Sequence, residues 1–169
     1  MGRLRAVTLS MAVLLATVFI MCACRGGTLS DYRAKGFEAE VVLSDGSYDI
    51  KAHISVEVPT DTGVRSVRMT FTQPESFSGV TLCENGERYI TYKDVRIDAE
   101  GMEYLFLWID MILPEGELRY IGKGSEDGIP TYNTLIGECS IYLDRSTCLP
   151  VRIEKESRTV VFEMVETDK

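Results

Sequence analysis

From Phe37 onward, apolar and polar residues mostly alternate, the period of a strand with one buried and one wet face. In FEAEVVLS (37–44), Phe37, Ala39, Val41 and Leu43 fall on one side. Asp45-Gly46 makes a turn. YDIKAHISVEV (48–58) then sets Tyr48, Ile50, Ala52, Ile54, Val56 and Val58 against Asp49, Lys51, His53, Ser55 and Glu57. Pro59 and the TDTG that follows close that strand. Residues 64–73 alternate again with Val67, Met69 and Phe71 inward. PESFSG breaks the run, and 80–93 reads as a hairpin turning at Asn85-Gly86.

The period changes in GMEYLFLWIDMILPEG (101–116). Met102, Leu105, Phe106, Ile109, Ile112 and Leu113 recur at helical spacing, which predicts a helix over 102–113. Asp98 is placed to cap its start and Pro114 to stop it. Tyr104, Leu107, Trp108 and Met111 add a second apolar stripe, so the helix must bury two faces. One can pack on the sheet. The other has three possible uses: a thick core, a lid over an apolar pocket, or a protein contact. Strands then resume: ELRYIGKGS, a turn at Glu126-Asp127-Gly128, TYNTLIGECSIYLD, the turn DRST, CLPVRIEKE and RTVVFEMVE. Runs of hairpins around one helix make an α+β fold, with the helix segregated to one face of an antiparallel sheet.

Ahead of this domain stand Arg3, Arg5 and nineteen uncharged residues, Ala6 to Cys24. A basic patch, an apolar run and small residues form an export signal. A cut signal peptide, a lipoprotein signal and an uncut anchor share that pattern, since about 19 helical residues nearly cross a bilayer core of about 30 Å. Local chemistry separates the two cysteines of Met21-Cys22-Ala23-Cys24. Cys24 follows the small Ala23, whereas Cys22 follows the bulky Met21. Cys24 is therefore the residue expected to carry a lipid, with residues 1–23 removed and 24–36 as lipidated cysteine and tether. The folded domain is placed at 37–169. Without residues 1–23 the chain loses Arg3 and Arg5 and no acid, leaving 16 Lys and Arg against 26 Asp and Glu, a net charge of −10. That balance argues against nucleic acid and against a general affinity for anionic lipid surfaces.

Cys83, Cys139 and Cys148 remain, an odd number. Around the turn 144–147, Leu143 should face Cys148 and Cys139 should face Arg152. The two thiols then lie about 13 Å apart along the hairpin, too far for a disulfide. They read as free, buried small hydrophobes. His53, the one histidine, lies on the polar side of its strand with no nucleophile assignable to it. Asp94, Asp98, Glu100 and Glu103 lack the ordered spacing of a calcium loop, so they read as a solvated start to the helix. No catalytic residue, metal ligand or cofactor site is assigned.

A lipoprotein cysteine, a long antiparallel meander, a central helix, the segment TFTQPESFSGV (70–80) and the ending YLDRSTCLPVRIE (142–154) together resemble the LolA/LolB-like superfamily of bacterial envelope proteins, over residues 37–166. The resemblance implies a curved half-barrel whose concave face is lidded by helix over an apolar cavity. On that reading Leu107, Trp108, Met111, Ile54, Val56, Met69 and Phe71 line the cavity. It also implies a non-enzymatic, extracytoplasmic, membrane-anchored protein that binds an apolar acyl ligand or an envelope protein. LolA and LolB carry the acyl chains of lipoproteins. A similar fold in the germination lipoprotein GerS implies the alternative, an accessory protein to a spore-cortex or cell-wall hydrolase. LolA itself is soluble, and a lipidated Cys24 departs from it.

Overall fold

In the computed structural model, which describes residues 29–58 and 64–167, the alternating segments become one open sheet of eleven antiparallel strands. The first six are β1 (Phe37–Ser44), β2 (Asp49–Glu57), β3 (Ser66–Gln73), β4 (Val80–Glu84), β5 (Arg88–Tyr92) and β6 (Val95–Asp98). A 3-10 turn at Glu103–Phe106 and the helix α1 (Leu107–Ile112) follow. The last five are β7 (Arg119–Glu126), β8 (Ile129–Ile136), β9 (Cys139–Asp144), β10 (Pro150–Lys155) and β11 (Arg158–Thr167). The order β6-β5-β4-β3-β2-β1-β11-β10-β9-β8-β7 puts the first and last strands side by side in the middle. The two edges, β6 and β7, are joined by the segment that contains α1.

Each hairpin is set by local chemistry. At the β7–β8 turn, Asp127 and Gly128 both take positive φ (48° and 84°), the backbone a two-residue hairpin needs for its twist. Once the turns fix register, one face is sealed. Phe37, Leu43, Ile54, Met69, Ile141, Leu143, Ile153 and Val160 are fully buried, and Phe106, Ile109 and Ile112 of the helical segment belong to the same core.

Five sequence expectations need correction. The helix is shorter than 102–113. Its first turn is 3-10, and Asp98 does not cap it but ends β6. Glu103 does the local work, accepting from the Gly101 N–H through Oε1 at 3.1 Å. Strand β6 is not among the expected strands: its alternation spans only four residues, and all four are exposed at the sheet's edge. Of the expected tether, residues 29–36 pack against the fold, and Tyr32 is fully buried. Leu143 faces Pro150 and Ser140 faces Glu154, so the register differs from the one expected. The loop is longer at its far end. The Asp144 N–H donates to the Leu149 carbonyl, and Cys148 inside the loop turns to φ 58°. The cysteines at 83, 139 and 148 are nonetheless all free and buried. Tyr48 and Val58, expected inward, flank β2 on either side and are exposed.

Candidate functional site

Six residues are too few for a helix to hold itself, since nucleation is unfavourable and few hydrogen bonds repay it. Three sets of contacts hold α1 from outside. Phe106, Ile109 and Ile112 are between 0% and 1% exposed and press into the sheet's core. At its start, Arg88 of β5 ion-pairs with Asp110 and with Glu84 (2.8 Å), and its guanidinium lies over the Phe106 ring at 5.2 Å. At its end, the Tyr32 hydroxyl donates to the Ile112 carbonyl. Arg33 donates to the carbonyls of Pro114 and Gly116 while paired with Asp31. The hydrogen bond from Arg33 holds the Asp31 carboxyl below its ordinary range, against the opposing effect of partial burial. Burial pushes the Tyr32 phenol far up, so it stays a neutral donor.

The second apolar stripe divides. Tyr104 and Leu107 are exposed, Trp108 is half-buried against the core, and Met111 is buried. Leu107 and Met111 form one wall of a cleft of about 300 Å3, with Pro114, Ile136 and Cys139 completing its apolar lining. Asp110, Glu115, Glu138, Lys155 and Arg158 make a charged rim. Within it Lys155 pairs with Glu138 at 3.4 Å. Burial pushes the Cys139 thiol up, which keeps it protonated and a poor nucleophile.

Of the residues expected to line a cavity, the structure brings Leu107 and Met111 together at this cleft. Ile54, Val56 and Met69 lie in the core, 0–1% exposed. Phe71 is half-buried farther along its strand, its ring 6.3 Å from Phe77. Cys24 lies outside the described residues. Sequence reasoning missed Ile136, Cys139, Lys155 and Arg158, which sit at hairpin ends and meet the helix only through strand order. It also missed Tyr32 and Arg33, whose partners are about eighty residues away. His53 faces away from the core and sits 2.9 Å from Glu40 Oε1 across the β1–β2 pair. Among the described residues no group of three or more His, Cys, Asp or Glu converges on one point.

No known family profile and no curated protein sequence matches the chain. Solved structures do share its fold. MucB aligns with 81% of this chain at 17% identity and a TM-score of 0.53, and this chain spans 55% of MucB. MucB in complex with MucA(peri) aligns at 16% identity and a TM-score of 0.51, over 81% of this chain and 52% of that one. An uncharacterized conserved protein from Thermus thermophilus aligns over 80% of both chains at 12% identity, with a TM-score of 0.55. The LolA superfamily protein NE2245 from Nitrosomonas europaea is also among the structural neighbours, at 9% identity and a TM-score of 0.38 over 80% of this chain and 87% of its own. The chain therefore has the open antiparallel fold of MucB and the Thermus protein across four-fifths of its length.

Proposed function

We propose that this chain is a non-enzymatic binding protein of the cell envelope, anchored outside the cytoplasm by a lipid on Cys24, which binds an envelope protein through the cleft beside α1. Its sheet forms a half-barrel with the helical segment across the concave face. In support, that segment joins the two edge strands and its buried stripe shares the sheet's core. The observation that carries the reading is the make-up of the cleft. An acyl chain asks for an enclosed apolar lining, whereas this lining is open and rimmed by Asp110, Glu115, Glu138, Lys155 and Arg158. Mixed chemistry of that kind suits a protein side chain with polar neighbours. The fold likeness to MucB, solved in complex with MucA(peri), is in keeping with a protein partner. Within this reading the partner could be a cell-wall hydrolase, the accessory role of a GerS-like protein, and co-purification of an amidase would identify it. Carriage of an acyl chain is the competing reading.

Two measurements on the full chain test the proposal. Cys24→Ala should abolish diacylglycerol labelling and block processing; normal labelling of Cys24→Ala with loss in Cys22→Ala would move the anchor to the other cysteine. Leu107→Glu, at an exposed cleft position, should leave the fold intact and weaken capture of the partner. If Leu107→Glu leaves capture unchanged while a fluorescent fatty acid binds and is lost in Trp108→Ala, the protein carries an apolar ligand instead.

A further inference from the structure

The two edges of the sheet differ in a way that bears on self-association, independently of the cleft. Edge strands normally carry devices that prevent pairing with another strand. Edge β7 has them: its register breaks between Tyr120 and Gly122, and Arg119 and Lys123 present like charges. Edge β6 is short and charged, but it has no bulge and its two charges are of opposite sign. It pairs with β5 without a break, Tyr89 to Asp98, Ile90 to Ile97, Thr91 to Arg96 and Tyr92 to Val95. Its sequence Val-Arg-Ile-Asp alternates apolar residues with opposite charges.

The backbone of β6 has a defined free side. The Ala99 N–H donates to the Arg88 carbonyl at 3.1 Å, which marks residues 88 and 99 as a hydrogen-bonded pair. In an antiparallel ladder such pairs alternate. Ile97 and Val95 therefore spend their backbone groups on β5, while those of Arg96 and Asp98 point off the sheet. Side chains follow the same alternation. Ile97 lies beside the buried Ile90 on the core side, yet it is 50% exposed, and Val95 is 58% exposed. Arg96 and Asp98 occupy the other side. There Arg96 is held over the Tyr89 ring at 3.8 Å, near Glu87 at 3.2 Å and beside Asp98 of its own strand at 3.7 Å, so the charges that a second copy would meet are already in place.

From this we infer that β6 is a homodimer edge, pairing antiparallel with β6 of a second copy about a two-fold axis at Ile97. Only three two-fold registers centred within the strand's Arg96–Asp98 stretch join outward backbone groups to outward backbone groups. One sets Arg96 against Arg96 and another Asp98 against Asp98. The third sets Arg96 of each copy opposite Asp98 of the other. It makes two cross-strand ion pairs and stacks Ile97 on Ile97 at a non-hydrogen-bonded position. Like charges directly opposite each other destabilise a sheet and opposite charges stabilise it, so the third register is selected. The same contact covers apolar surface that is otherwise open at Ile97 and Val95. Four backbone hydrogen bonds make a short interface, and the lipid anchor of the proposed function, on which this step rests, would raise the effective concentration at which it forms.

The test uses the full chain in membranes. A pair at the two-fold position has Cα atoms about 4.5 Å apart, within the roughly 4.4–6.8 Å that a disulfide spans. Ile97→Cys should give a covalent dimer on mild oxidation, above the background of the unsubstituted chain. Val95→Cys, exposed on the same face but offset from its own mate, should give little. Adding Arg96→Glu to Ile97→Cys replaces each ion pair by two carboxylates and should cut the dimer yield about tenfold. The swap Arg96→Asp with Asp98→Arg restores opposite charges and should restore the yield. Equal cross-linking at 95 and 97, no dimer at 97, or failure of the charge swap to restore the yield would each overturn the proposal. Circular dichroism of each variant separates loss of pairing from loss of fold.

Discussion

Removing one oxygen atom, in Tyr32→Phe, tests how the N-terminal segment holds the helix. Tyr32 is fully buried, its ring 6.4 Å from Phe37, and its hydroxyl donates to the carbonyl of Ile112, the last residue of α1. The last carbonyls of a helix have no partner within it, so an outside donor matters most there. Phenylalanine keeps the ring and its packing and removes only the donor. The Ile112 carbonyl then remains in a buried place with its bond broken, which costs about 1–3 kcal/mol. Tyr32→Ala removes the ring as well and should cost about 3–5 kcal/mol, the range for truncating a large buried aromatic.

Urea unfolding of the two variants gives the measurement. With m of about 2 kcal/mol/M for a domain of this size, Tyr32→Phe should lower the midpoint by about 0.5–1.5 M at unchanged m. Tyr32→Ala should lower it further. If Tyr32→Phe unfolds with the unsubstituted protein, the hydroxyl does not stabilise the end of α1, and the reasoning fails. If it falls as far as Tyr32→Ala, the ring's packing contributes nothing, which contradicts its complete burial.

Ile109→Ala should cost about 2–5 kcal/mol, because Ile109 is 1% exposed and leaves a cavity between helix and sheet. Trp108→Ala should cost less, being half-buried, and equal losses in the two would mean that Trp108 is as central to the core. Asp31 gives a pH dependence with a definite sign. Its folded value lies below its ordinary 3.8, so its contribution is present above about pH 4 and is lost as pH falls below 3.8 through the folded value. Asp31→Asn keeps an acceptor for the Arg33 N–H but loses the charge. With Asp31 partly exposed the difference at pH 7 should be only about 0.5–1 kcal/mol, and it should shrink below pH 3.8. A gap that widens on acidification would reverse the assignment.

Strands with one buried face were legible because a slip by one residue would turn every side chain to the wrong side. Phe37 to Leu43 and Ala52 to Val56 announced themselves in this way, and the structure buries them. Strand β6 was not legible because Val95-Arg96-Ile97-Asp98 alternates over only four residues, too short a run to fix a period, and at the sheet's edge its core-side Val95 and Ile97 stay exposed. The helix was read as too long because Met102, Leu105 and Leu113 are apolar at helical spacing, yet they pack against the core from the turns flanking α1. Tyr32 and Arg33 looked like tether because polar and small residues surround them. Their role depends on carbonyls of Ile112, Pro114 and Gly116, which no local pattern can announce. Half of the cleft escaped for a similar reason. Leu107 and Met111 could be read from the second apolar stripe, but Ile136, Lys155 and Arg158 reach it only through the order of strands in the sheet.

How firmly α1 is held bears on which of the two binding readings applies. A lid over an apolar cavity must part from the sheet to admit its ligand, and segments that open in this way are drawn from the least stable parts of a fold. Here the segment has Phe106, Ile109 and Ile112 in the core, Arg88 on Asp110, and Tyr32 and Arg33 on the carbonyls at and beyond its end. To lift it would expose three large apolar side chains at about 1.5–3 kcal/mol each before any bond is counted. That is a large part of the 5–15 kcal/mol that typically holds a whole domain together. A fixed helix beside an open cleft suits docking of a partner. Hydrogen exchange distinguishes the cases. Amides of Ile109 to Leu113 should exchange nearly as slowly as those of the central strands β1 and β2. Exchange through a frequent local opening, far faster than in those strands, would mean that α1 moves as a lid, and would return the acyl-carrier reading to first place.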